Sequence, residues 1–193
     1  MAAGDLTTLA NVRAALKVAT TDTGDDAYIT ALVTRASSFI KRYCRREILD
    51  PGADVTEIHD GRGRSKIRLR DWPVITLTSV HEDSESLFPG STLVPSTDYI
   101  VDKRLGVIVR PYGVAWLRYD QSVKVIYRPG YTTTPADVEQ ACIELVVGKW
   151  LRRRNEGVAS KSLGDGSVAY FSASEITRDI ARVLDLYKNG RMP

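Results

Sequence analysis

A chain of 193 residues, 43% hydrophobic and 26% charged, has enough apolar side chain for one domain with a real core, or one domain carrying an insertion. That balance argues against wholesale disorder. The net charge of +3 is too small to announce a nucleic-acid binder, and no apolar run approaches the length that spans a bilayer.

The N-terminus lacks a charged-then-apolar leader pattern, so a protein made and kept in a cytoplasm is expected. Residues 1–5 read as a loose terminus. Thr7 or Thr8 is placed to cap a short helix, about 7–18, whose apolar positions are Leu9, Val12 and Leu16. The second helix, about 25–46, has a regular stripe. Ile29, Leu32, Val33, Ala36, Phe39, Ile40, Tyr43 and Cys44 fall at spacings of three and four. Asp25 and Asp26 at its start and Lys41, Arg42, Arg45 and Arg46 at its end complement the helix dipole.

After Pro51-Gly52 the period changes from 3.6 to 2, opening a block of short strands at about 53–130. Val55 and Ile58 enter the turn Asp60-Gly61-Arg62-Gly63 and Ile67 and Leu69 leave it, which predicts a hairpin. A strand follows Trp72-Pro73 and ends at the acidic turn Glu82–Glu85. Further strands are expected at Tyr99–Val101, Val107–Val109 and Val123–Tyr127.

The third helix, about 135–154, is the stretch on which the rest depends. Thr134 is expected as its cap, Pro135 in its first turn and Asp137 at the positive end of the dipole. Val138, Ala141, Cys142 and Leu145 mark one apolar face. Ile143, Val146, Val147, Trp150 and Leu151 mark a second. A helix apolar on so much of its circumference is buried on more than one side, in a core or between a core and a subunit interface. Arg152, Arg153 and Arg154 close it, with Gly157 as the expected stop. The segment 157–171, rich in Gly and Ser, is expected to be a loop, mobile in a free subunit and ordered by neighbours. Ser172 and Glu175 have the spacing of a capping box for a last helix, about 173–189, striped by Ile176, Ile180, Val183, Leu184 and Tyr187. The whole predicts an α+β fold: about four helices in a bundle with a small antiparallel β-sheet block inserted.

Nothing amounts to a catalytic constellation. His59 and His81, the only histidines, have no cysteine near them in sequence, so no metal or cofactor is expected. Gly61-Arg62-Gly63 and Gly164-Asp165-Gly166 lack the Lys-Ser/Thr ending of a phosphate loop. Cys44 and Cys142, both in helical patterns, read as reduced core thiols. Basic clusters at 41–46, 62–70 and 152–154 leave a sequence-nonspecific DNA-binding module as one alternative function. An enzyme with a scattered active site is another.

The order of parts resembles the head–tail connector (adaptor) proteins of tailed double-stranded DNA phages. The likeness is carried by LTTLANVRAALKV, DDAYITALVTRASSFIKRYCRR, DGRGRSKIRLRDWPVITLTSV and STDYIVD, then by VKVIYRPGYTTTPADVEQACIELVVGKWLRRR and KSLGDGSVAYFSASEITRDIARVLDLY. It implies a structural, non-enzymatic part of the virion neck, made in the host cytoplasm. It further implies a homo-oligomeric ring, commonly dodecameric, around a channel for double-stranded DNA, with the portal on one side and a head-closure (stopper) or tail protein on the other. No membrane partner is expected. On that footing Phe39, Tyr43, Ile143, Val147, Trp150 and Leu151 are expected at subunit contacts. Arg152, Arg153, Arg154 and Lys161 are expected to face the channel. The C-terminal Leu184, Leu186, Tyr187, Lys188, Arg191 and Met192 are expected to dock on the portal.

Overall fold

Helix α3 (Ala136–Arg152) packs against α1 (Leu9–Leu16), α2 (Asp26–Cys44) and α4 (Arg178–Asp185). The structure, a computed structural model, describes residues 4–19, 21–153, 160–163, 166–169 and 176–189. Gly157, the expected helix stop, and the capping box Ser172–Glu175 lie outside the described residues. The chain divides into two compact units, a helical one from residues 1–45 and 134–190 and a β-rich one built chiefly from 46–133.

In the helical unit the periodicity of α2 and α3 becomes the core. Ile29, Leu32, Val33, Ala36 and Ile40 are buried on α2, and Val138, Ala141, Cys142, Leu145 and Val146 on α3. The cap of α1 is Thr8, whose hydroxyl accepts from the Asn11 N–H at 3.1 Å. One expected cap fails. Pro135, not Thr134, stands at the N-cap of α3, with no side-chain cap, and Asp137 and Glu139 supply negative charge in the first turn instead. Helix α4 is capped by Thr177, which accepts from the Ile180 N–H. Just past the terminus expected to be loose, the chain is anchored in the core. Asp5, Leu6 and Thr7 are buried, and the Leu6 N–H donates to the Ser37 hydroxyl at 2.9 Å. A polar backbone group that reaches the core is kept there by that bond.

The segment expected to be a loop after α3 carries an antiparallel pair, β7 (Ser160–Leu163) and β8 (Gly166–Ala169), with Leu163 opposite Gly166. Only Gly164-Asp165 separates the strands in sequence, a two-residue spacer of the kind that links hairpins.

The β unit has six strands in two antiparallel sheets of three. In one, β1 (Val55–His59), β6 (Val123–Pro129) and β3 (Val74–Glu82) lie in the order β1-β6-β3. In the other, β2 (Lys66–Arg68), β5 (Val107–Val109) and β4 (Ile100–Asp102) lie in the order β2-β5-β4. The predicted hairpin around Gly61 therefore does not form, because β1 and β2 belong to different sheets. The Gly61 N–H donates to the Tyr119 carbonyl and the Ser122 hydroxyl, and the Trp116 N–H to the Arg64 carbonyl, so the turn docks on residues 116–122. A β-carbon at Gly61 would lie 1.9 Å from the Leu117 carbonyl oxygen, which is why only glycine fits this close approach.

The two sheets share one core, with Leu69, Val80, Ile108, Trp116, Val125 and Tyr127 fully buried. The unit's two ends meet in a parallel bridge between Leu49 and Tyr131, fastened by the fork of Arg128 on both carboxylate oxygens of Asp50. Gly130 beside it has φ +101°, a conformation that side chains disfavour. Arg46, expected at the end of α2, lies beyond that helix in the β unit. It is buried with its guanidinium 3.7 Å from the centre of the Trp72 ring.

Candidate assembly surfaces

Helix spacing decides which side chains α3 and its neighbours leave at the surface. Of the residues expected at subunit contacts, Phe39, Tyr43, Ile143, Val147 and Trp150 are half-buried and Leu151 is exposed. Their apolar surface is therefore partly used at home. The Trp150 ring lies 5.9 Å from that of Tyr28, and Arg153 stacks over both while its guanidinium pairs with Asp25 at 2.8 Å. Tyr43 donates to Asp185 at 2.9 Å, which raises its pKa, and Lys188 lies over its ring. Cys44 and Cys142 are buried thiols, not joined in a disulfide. Burial raises the Cys142 thiol to about 11, so it stays protonated at neutral pH.

The basic residues expected to line a channel separate on inspection. Arg152 is exposed and Arg153 is engaged with Asp25. Lys161 falls in β7, and Arg154 lies outside the described residues. The residues expected to dock on the portal separate as well. Leu184 is fully buried and holds α4 on its own unit, a correction to its expected surface role. Leu186 is 74% exposed. Tyr187 donates to the Asp137 carboxylate at 2.8 Å, and Lys188 pairs with Asp185 at 3.6 Å. Arg191 and Met192 lie outside the described residues.

The β unit offers a different surface. On the outer side of β2-β5-β4 the register sets Lys66 beside Val109 and Val109 beside Ile100, with Arg68, Val107 and Asp102 in the next row. These alternate with the inward Ile67 and Ile108, as the pleat requires. The outward row forms a hollow of about 720 Å³, floored by Leu105, Val107 and Val109 and edged by Arg64, Lys66 and Arg68. Elsewhere on this unit Leu87 is 75% exposed and Tyr112, in the turn Pro111-Tyr112-Gly113, 99%. Sequence analysis gave neither residue a role. A large apolar side chain at the tip of a turn was the available signal.

The polar groups inside the β unit serve the fold. Glu57 accepts from the Tyr127 hydroxyl, from the Arg70 N–H at 3.0 Å and from His59 at 2.9 Å. Burial pushes its carboxyl upward, but these bonds outweigh it and the net shift is downward. Asp71, half-buried and facing Glu57, is raised by its partial burial and by that neighbouring charge. Arg110 pairs with Glu82 at 2.7 Å over the buried Trp116 ring. His59 and His81 lie on the two edge strands of the first sheet. Among the described residues no group of three or more His, Cys, Asp or Glu is placed to hold a metal ion, and no helix is long and apolar enough to cross a membrane.

On these surfaces the polar clusters serve the fold and several apolar side chains are left outward. The model of the head completion protein family matches residues 5–190, and the chain belongs to that family of virion structural proteins. Solved chains with the same fold come from particles of a gene transfer agent (GTA). One is from the virion of the native particle, at TM-score 0.60 and 16% identity. Another is from the neck of the empty particle computed with C6 symmetry, at 0.59 and 15%. A third is from the neck of the native particle computed with C12 symmetry, at 0.58 and 15%. Each match covers 100% of this chain and 94% of the other. No curated protein matches the sequence.

Proposed function

We propose that this head completion protein is a ring-forming adaptor of the virion neck. It joins the portal to the head-closure (stopper) or tail protein and continues the channel through which double-stranded DNA passes without sequence recognition. The observation that carries this reading is the family match over residues 5–190. Its fold, shared with chains of necks computed with C6 and C12 symmetry, supports a ring of twelve copies. Half-buried Phe39, Tyr43, Ile143, Val147 and Trp150, with exposed Leu151, contribute to contacts between copies in the helical unit. Arg152, with Arg154 and Lys161, faces the channel, while Arg153 stays on Asp25. The portal contact centres on Leu186, Lys188 and the tail residues Arg191 and Met192.

Reconstruction of the neck from particles containing this chain tests the ring. Twelve symmetric copies are expected, and a single asymmetric copy or none overturns the reading. Truncation after Tyr187 tests the portal contact. The shortened chain is expected to fold and to leave portal-bearing heads unoccupied, and unchanged occupancy refutes the docking role.

A further inference from the structure

The segment that follows β3 is a rigid tip. The Asp83 carboxylate accepts from three backbone N–H groups, those of Glu85 at 3.1 Å, Leu87 at 2.9 Å and Phe88 at 2.8 Å. The Ser86 hydroxyl donates to the Gln121 carbonyl at 3.0 Å, and Lys124 lies 4.8 Å from the centre of the Phe88 ring. Ser86 and Phe88 both adopt positive φ, 59° and 51°. Non-glycine residues take that conformation at a cost, and the bonds to Asp83 and Gln121 hold them in it. What this fixed tip presents is Leu87, 75% exposed, and the exposed carboxylate of Glu85.

The hollow on β2-β5-β4 is the complement. Its floor is apolar, with Leu105 still 42% exposed. Arg64, Lys66 and Arg68 stand exposed along one edge, and among the described residues none of the three is in an ion pair. The one carboxylate in the hollow, Asp102, is occupied by the Leu105 N–H at 3.0 Å. Within one protomer Leu87 and Leu105 are both left uncovered, so the tip does not fill its own hollow.

We infer that the tip 83–88 of one copy docks in the β2-β5-β4 hollow of the next, with Leu87 on Leu105, Val107 and Val109 and Glu85 facing Arg64, Lys66 and Arg68. This rests on the ring reading above and assigns it a second contact, in the β unit. Charge and apolarity match across the pair, and the tip is already held in shape, which lowers the entropy lost on docking. The two surfaces differ, so the contact is heterologous. Repetition of such a contact closes a ring where an isologous one stops at a two-fold dimer.

Cross-linking in assembled particles tests it. The full-length chain carrying Leu87→Cys and Val107→Cys, oxidised in purified particles, is expected to give a ladder of covalent oligomers reaching ring size. Cys44 and Cys142 are buried and give a silent background. A ring visible by electron microscopy without a ladder overturns the inference. In parallel, Leu87→Asp should lower neck occupancy roughly tenfold or more with an unchanged thermal melt. Glu85→Lys should weaken it and Arg68→Glu added to Glu85→Lys should restore it. Wild-type occupancy in Leu87→Asp likewise overturns the contact. The wild-type control separates the two proposals: without a ring there, the adaptor reading falls and the inference with it.

Discussion

The helical unit spends its aromatic and charged side chains on itself, whereas the β unit leaves apolar side chains uncovered. Trp150, Tyr28, Arg153 and Asp25 engage one another on the first, as do Tyr43, Asp185 and Lys188. Among the described residues, nine of the eleven large hydrophobic side chains left exposed belong to the β unit, and only Leu151 and Leu186 to the helical one. Apolar surface held open in this way costs solubility unless a partner covers it. The comparison teaches that most of the exposed large apolar side chains lie in the β unit, where the docking inferred above places its contact, and that a two-faced helix is no guide to them.

Several substitutions would break or sharpen the contrast. Gly61→Ala should have the largest effect, because the new β-carbon meets the Leu117 backbone carbonyl and not a mobile side chain. A loss of about 4 kcal/mol or more is expected in urea unfolding, confined to the β unit if the two units melt separately. Leu184→Ala should cost about 3 kcal/mol by the same measurement, since it opens a cavity under α4 in the helical unit. A negligible cost would return Leu184 to the surface role that its burial denies it.

Glu57→Gln should cost about 2 kcal/mol at neutral pH, because Tyr127 and the Arg70 N–H lose a charged acceptor. The pH dependence has a definite sign. Glu57 is shifted down on folding, so its contribution is fully present above the ordinary carboxylate range and is lost as pH falls through its folded value. Asp71 is shifted up and acts oppositely, favouring the folded state while it keeps its proton. Wild type should therefore lose stability in acid more steeply than Glu57→Gln. Parallel acid limbs in a series of thermal melts would refute the assignment. Thr177→Ala should have a small effect, about 1 kcal/mol on α4, and Ser172→Ala the smallest, near zero. A larger effect at Ser172 would restore the capping box as the true start of the helix.

Local patterns settled much of this protein before any coordinates. The three-and-four spacing of Ile29 to Cys44 and of Val138 to Val146 set two helices and most of their buried faces, because a helix exposes its sequence directly as geometry. The alternation of Val123, Val125 and Tyr127 set β6, and the order of parts along the chain identified the family. Strand pairing was another matter. Val55–Ile58 and Ile67–Leu69 flank a turn and look like hairpin partners, yet a strand carries no mark of which neighbour it will bond. The docking of Gly61 on residues 116–122 sent them to different sheets. Likewise Leu184 and Leu186 are equally apolar in sequence, and only the packing of α4 buried the first and left the second exposed. Sequence fixes what a residue can do locally, but which partner it meets depends on contacts between distant parts of the chain, and only tertiary structure decides those.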